Sequence, residues 1–397
     1  MASAVASLNG VEAPRFSRDR LTWLGYISIS TYGFYVYALG PVVAFLRQEL
    51  HLTYTLTSLH ATVWSVGSVL AGLSLHRLAR RLGRHRLFWL AAVTTAVGAL
   101  LFIAGHAVLV TLPAVLILGT GATLVGAVSS VFLADRHEQQ RDRALVEANL
   151  GASGVGAFVP ALLGVLALTV GGWRSALVLP LLVLGALFLV LGRVPMPRPP
   201  VAVLTVGRMP RAFWAPCVLV ALAVGIEFCV LFYAVPLLGI GARLSTADAA
   251  AALSLFVAGE FAGRLAGAWL TRRPGRATLL VGIALGIAFA GFLVLWLGRV
   301  IPLEVVGLFV TGLGIGNLYP LTLALALGAG RGRTAQAMSR VQVGIGIAMG
   351  VAPLLLGVLS DRVGVVRALA VEPALTLVAV LVLLVVVRGG RGEPATA

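Results

Sequence analysis

The chain has 397 residues, 59% of them hydrophobic and 11% charged, with a formal net charge of +16 and a mean hydropathy of +1.02. A soluble globular protein carries roughly 25% charged residues, so this composition excludes a cytosolic enzyme, a secreted disulfide scaffold and a disordered tail protein. It leaves a polytopic membrane protein. All thirty basic residues are arginines and none is a lysine. They lie in short loops between apolar runs, as topology-determining residues do, whereas a nucleic-acid face gathers its basic residues on one surface. Nucleic acid is therefore not an expected partner. Cys217 and Cys229 fall in one predicted helix, about 18 Å apart by helical rise, too far to bridge.

In chain order, residues 1–20 form a tail without the short apolar core of a cleaved signal peptide. Helix 1 (21–46) carries Ser28, Tyr32 and Tyr35 at i, i+4 and i+7, with Thr31 beside them. This hydroxyl-and-aromatic stripe suits the lining of a solute cavity; ordinary helix packing is the plain alternative. Helix 2 (55–75) carries His60 and Trp64 on one face of its outer half, and Ser65. His60 titrates near neutrality when solvated, but a hydrogen-bonded structural histidine explains it as well. Arg81 and Arg84 follow in loop 2–3 and are expected at a cytoplasmic gate. Helices 3 (87–105), 4 (108–134), 5 (145–170) and 6 (174–192) complete a first half, with Asn149 at the inner end of helix 5. A Pro- and Arg-rich linker (193–212) leads to helices 7 (213–238), 8 (250–271), 9 (277–298), 10 (302–327), 11 (341–360) and 12 (368–387). Residues 388–397 form a second tail. Gln342, at the inner end of helix 11, is the repeat-related counterpart of Asn149. The arginines orient the chain. With both termini cytoplasmic, 23 fall inside and six outside (Arg47, Arg174, Arg243, Arg299, Arg362, Arg367), and Arg264 lies within a helix. Such a split predicts cytoplasmic termini.

Two of the fourteen carboxylates sit at helix centres: Glu227 in helix 7 and Glu260 in helix 8. A charge at mid-bilayer costs at least about 2.5–3.5 kcal/mol, so such a residue faces a cavity, pairs, or is protonated. Glu260 has Arg264 four residues on, the favourable order for a helical ion pair; a gate and a structural clamp are both open readings. Glu227 has no basic residue within a turn of its own helix. An unpaired carboxyl in a low-dielectric interior takes up a proton readily, which suits proton coupling or direct solute contact; a hydrogen bond to a neighbouring helix is the alternative. In helix 10, Gly312, Gly314 and Gly316 permit close approach before Asn317, Tyr319 and Pro320, a pattern for a hinge with Asn317 as solute contact or for a purely structural bend. No Cys/His/Asp/Glu group has metal-ligand spacing. No phosphate-cradling loop ending in Gly-Lys occurs, so neither a metal nor another cofactor is expected.

Shifting the chain by 193–195 residues superimposes its halves. Gly119, Gly121, Pro160, Gly164, Gly171, Arg174 and Pro180 fall on Gly312, Gly314, Pro353, Gly357, Gly364, Arg367 and Pro373. Pro41 falls on Pro236, Tyr32 on Glu227, and Ser65 on Glu260. Parallel six-helix halves around a midplane site are a transporter architecture. At this point the chain resembles the major facilitator superfamily along its whole length. The family's loop motif is matched at the outer end of helix 11 by Gly357, Leu359, Asp361, Arg362 and Gly364. The loop 2–3 version, His76 to Arg84, lacks its glycine and aspartate, and loop 8–9 keeps Gly267, Thr271, Arg272 and Gly275. Segments around Glu227, Glu260–Arg264 and Asn317–Pro320 are similar to the fucose-permease branch of sugar/proton symporters.

The resemblance implies an all-α membrane protein with twelve transmembrane helices in two pseudo-symmetric six-helix bundles, integral to the plasma membrane, monomeric, and in contact with lipids. It further implies a secondary transporter, not an enzyme, that moves a small organic solute with protons by alternating access. Symport of a sugar-like or other polar solute is favoured. Proton-antiport efflux of drugs or hydrophobic metabolites is the alternative, although helix 4 lacks an intramembrane arginine and helix 5 keeps only Gly156, Pro160 and Gly164 of the antiporter pattern. Against fucose-type symport, helix 1 has no carboxylate, and Asp135 is the only acid near helix 4. A non-transporting receptor on the same fold is a third reading, in which paired central carboxylates have no use.

Overall fold

Asp19 starts the first helix. Its Oδ1 accepts from the Thr22 amide at 2.9 Å and the Thr22 hydroxyl at 2.7 Å, and its Oδ2 receives Arg136 from the C-terminus of another helix at 2.8 Å. One carboxylate thus caps a helix and ties two spans. Partial burial pushes the Asp19 carboxyl up, but the Thr22 and Arg136 hydrogen bonds outweigh it and hold the group below the usual range. A depressed native value stabilises the fold above the unfolded value of about 3.9 and loses that contribution as pH falls through the native one. Asp19→Asn is therefore expected to flatten the acid limb of a stability-versus-pH curve, read by thermal unfolding between pH 3 and 7; an unchanged slope refutes the coupling.

The structure, a computed structural model, describes residues 16–137, 140–196, 208–270, 276–298, 300–330 and 334–391. Most of both tails, most of the proline-rich linker, Arg299 and the Thr271, Arg272 and Gly275 positions of loop 8–9 lie outside the described residues. Among those described, twelve helical spans are long and apolar enough to cross a bilayer, and there is no strand. They are α1 (Arg20–Leu50), α2 (Tyr54–Leu82), α3 (Arg84–Ala104), α4 (Val108–Arg136), α5 (Arg141–Ala167), α6 (Val178–Leu191, entered through a 3-10 turn at Trp173–Leu177), α7 (Arg211–Gly241), α8 (Thr246–Leu270), α9 (Ala277–Leu297), α10 (Ile301–Ala329), α11 (Thr334–Val363) and α12 (Val371–Arg391, after the short helix Val365–Ala368). Several extend beyond the predicted ends. Hydropathy marks the apolar slab, whereas arginine-rich turns such as 76–82 continue the helix into water.

One expected continuous helix is interrupted and another starts late. The α10 span divides into Ile301–Ile315 and Leu318–Ala329, with Asn317 preceding the second segment. Helix 12 begins only at Val371, because Gly364 takes φ +83° and starts a separate turn. The narrow gap between α3 and α4 is real. Arg174 closes it from the 3-10 turn by donating to the Phe102, Ile103 and Gly105 carbonyls at 2.8–2.9 Å, which satisfies the orphan carbonyls of a helix end.

An even number of spans puts α1's start and α12's end on one side, here the terminal end; the opposite side is the far end. The two six-helix halves meet mainly through α2 against α11 and α5 against α8, with α1 against α7 between them. The core differs between the ends. One continuous cluster includes α1 residues Phe34 to Leu46, α7 residues Leu219 to Leu238, and Leu163 with Ala247, so it crosses from half to half. Toward the terminal end the core splits. Leu21, Leu24, Phe88, Phe132 and Leu191 pack within the first half, and Phe213, Val220, Ala326 and Val341 within the second. Among the described residues the buried core thus runs across the halves at the far end and divides between them at the terminal end.

Candidate substrate and proton site

The far-end seal is made by glycines and one carboxylate. A Cβ at Gly40 would meet the Leu231 carbonyl, and one at Gly164 the Ala247 carbonyl, so α1–α7 and α5–α8 pack main chain to main chain across the halves. Along α2–α11, the Tyr233 hydroxyl joins Ser58 at 2.6 Å and donates to the Pro353 carbonyl at 3.2 Å, and Thr62 donates to the Gly350 carbonyl at 2.6 Å. At the rim, Asp361 of α11 accepts from the Tyr54 amide at 2.8 Å, the Thr55 amide at 2.9 Å and the Thr55 hydroxyl at 2.6 Å. An acid of one half therefore caps the positive N-terminus of a helix in the other; its neighbour Arg362 is exposed. Asp361→Asn is expected to weaken the closed far end by about 1 kcal/mol, the usual worth of a helix cap and roughly fivefold in the ratio of states. Spin labels on the far ends of α2 and α11 report it as a larger long-distance population; an unchanged distribution refutes the latch.

At mid-depth lies the polar cluster. Close glycines set it up: Gly312 and Gly316 of α10 lie against the α8 backbone at Phe256 and Glu260, and Gly259 and Gly263 of α8 lie against Phe309 and Leu313. Glu260 is consequently buried completely. Arg264, one turn on, keeps 26% of its side chain exposed and stands 3.6 Å from Glu260 Oε2. Its guanidinium also reaches the other half, donating to the Tyr37 hydroxyl at 3.0 Å and the Ser153 hydroxyl at 2.6 Å, and to the Gly316 carbonyl at the α10 break at 3.3 Å. The Tyr37 hydroxyl in turn donates to Glu260 Oε2 at 3.2 Å. Glu227 of α7 approaches from the side, its carboxyl beside that of Glu260 and within electrostatic reach of Arg264, Tyr37 and Tyr319. Glu260 Oε1 has no conventional donor, and Glu227 is only half-buried. Two carboxyls face one guanidinium, an arrangement balanced in charge only when one proton is held between them.

The sequence-predicted residues divide sharply. Glu227, Glu260, Arg264 and Tyr319 are brought together, and Tyr32 is half-buried near Thr123 and across from Tyr319. Tyr35 instead donates to the Leu177 carbonyl at 3.4 Å, Thr31 donates to the Ile27 carbonyl of its own helix, and Ser28 is buried. These three are packed within the first half. His60 bonds Thr111 at 3.0 Å and its own helix's Leu56 and Thr57 carbonyls, and Trp64 is buried against Gly119, so both serve α2–α4 packing. Ser65 lies in the α2–α11 seam beside Gly350, away from Glu260. Asn317 donates to the Gly263 carbonyl and lies over Gly267, tying the α10 break to α8. Arg84 is buried in a 2.6 Å ion pair with Asp135 of its own half, while Arg81, Asn149 and Gln342 are exposed. Sequence reasoning missed Tyr37, Ser153 and the α2 N-terminus. Ser153 carried a signal, four residues beyond Asn149 on the same face; Tyr37 did not, being turned about 140° from Tyr32.

Two six-helix halves packed around a buried ionisable cluster have the architecture of a membrane transporter. A family model of the Major Facilitator Superfamily matches residues 25–327, and the chain belongs to that family. Its fold is similar to that of a bacterial homologue of the human lysosomal transporter Spinster. The inward-facing, occupied form of that protein gives a TM-score of 0.79 at 15% identity, covering 96% of this chain and 100% of the other. Its inward-facing, unoccupied form gives 0.75 at 14% identity, covering 95% and 98%. No curated protein sequence matches the chain.

Proposed function

We propose that this transporter couples movement of a small polar organic solute, sugar-like in its hydrogen-bonding needs, to symport of one proton through Glu227, Glu260 and Arg264. The observation that carries the reading is the charge count at mid-depth, two carboxyls to one guanidinium, with Arg264 partly exposed and Glu227 less buried than Glu260. Tyr32 and Tyr319, half-buried and facing each other across the halves, offer a solute apolar ring faces and hydrogen-bonding tips. Opening the far end must break the Tyr37 and Ser153 contacts of the cluster. A proton on Glu260 removes the charge that draws Tyr37 and Arg264 to it, so proton binding favours release of the first half.

The arginine distribution supports a cytoplasmic terminal end in the plasma membrane, so the parted side is the inward one. The bacterial Spinster homologue bears the same conformational description. The test is purified protein in liposomes carrying an internal pH dye, challenged with sugars, amino acids, organic acids and hydrophobic drugs preselected by thermal shift. A stabilising solute moving inward is expected to acidify the lumen. Alkalinisation would instead establish antiport, and a transported solute without any pH change would remove proton coupling.

A further inference from the structure

A second polar feature lies away from the transport pathway, at the terminal end of the first half. The start of α1, the end of α4 and the exit of α6 enclose a recess of ≈ 690 Å³ whose wall includes Arg20, Arg136, Arg193, Val190 and Met196. Its charge is unbalanced. Asp19, the only acid among the described residues of its wall, is engaged by Arg136 and the Thr22 cap. Arg20 and Arg193 are exposed, and among the described residues neither pairs with a carboxylate. The α6 exit is held in place, since His85 bonds the Gly192 carbonyl at 2.7 Å, so Arg193 projects from a fixed turn.

The recess sits at the boundary between hydrocarbon and water. Immediately beyond it on α6, Phe188, Leu189 and Val190 are 57%, 84% and 77% exposed, a strip for acyl chains. Trp23, one turn into α1, is 51% exposed, as tryptophans at the headgroup level are. Basic pockets between membrane helices at this depth suit phosphate headgroups.

We propose that this recess binds an anionic glycerophospholipid, its phosphate ester held between Arg20 and Arg193 and a chain lying along Phe188–Val190. Free phosphate shares the headgroup chemistry but has no use for the apolar strip. Native mass spectrometry of the full chain in detergent, titrated separately with phosphatidylglycerol, phosphatidylcholine and inorganic phosphate, tests the assignment. Phosphatidylglycerol is expected to bind at least about tenfold more strongly than phosphatidylcholine, and the Arg20→Gln/Arg193→Gln pair to lower its occupancy about tenfold. The Arg77→Gln/Arg80→Gln pair on α2 is expected to leave it unchanged. Arg193→Gln alone, outside any helix, gives a partial loss and guards against a folding effect of the change at Arg20. Equal phosphatidylglycerol binding by wild type and the Arg20/Arg193 variant overturns the site. Equal loss in the α2 control reduces it to general charge, and variant-sensitive binding of inorganic phosphate as tight as that of the lipid makes it a soluble-anion site.

Discussion

Glu227→Gln is expected to abolish proton-driven accumulation while sparing solute exchange. The amide keeps the size and hydrogen-bonding capacity of the side chain but removes one of the two ionisable carboxyls. Glu260 and Arg264 then balance each other without a proton, and the site is neutral whatever the pH on either side. With one proton moved per solute, a pH difference of one unit sustains about tenfold accumulation in the wild type, because each unit is worth about 1.4 kcal/mol. The variant should reach no concentration ratio above unity, yet solute counterflow between equilibrated compartments should persist. Flux measured with and without an imposed gradient separates the two. Undiminished accumulation would move proton coupling elsewhere in the chain.

Arg264→Met is expected to have the largest effect on stability. Removing one partner of a buried pair leaves the other uncompensated and costs about 3–5 kcal/mol; the partial exposure of Arg264 argues for the lower end. The change also deletes the donors to Tyr37, Ser153 and the Gly316 carbonyl, so the halves lose their mid-depth link together with the charge. Glu260→Gln/Arg264→Met should recover part of the lost stability, because the fully buried Glu260 charge goes with its partner and only the less buried Glu227 carboxyl is left without a cation, and should not recover transport. Thermal unfolding of the two single variants and the double variant gives the coupling energy. Purely additive losses would mean that the 3.6 Å pair contributes nothing.

The helices were legible because each apolar run is longer than a bilayer is thick, and the division into halves because prolines and an arginine recur at one offset. The acids at the centre were legible for the same reason that they are expensive there. What could not be read was the partner of each helix face. Periodicity put His60 and Trp64 on one stripe but is silent on whether that stripe meets α4 or the other half; the structure sets it against α4. The tyrosines of helix 1 looked like one surface, yet Tyr32 faces the midplane, Tyr35 packs inward, and Tyr37, off the stripe, makes the contact with Glu260. Glu304 and Glu372 lie in the first turns of their helices and are buried there, which hydropathy cannot register. The helix-11 aspartate was visible as a motif; its role in capping α2 depends on a packing partner three hundred residues away in the chain.

The main-chain approach at Gly40 and Gly164 has a bearing on leakage. Where carbonyl lies against bare α-carbon there is no width for a file of water, so under the proposed proton coupling hydronium has no path between these helix pairs while the acids are being loaded. Widening either point by a methyl group would pry the plug apart and let protons slip through uncoupled, dissipating the gradient without moving cargo.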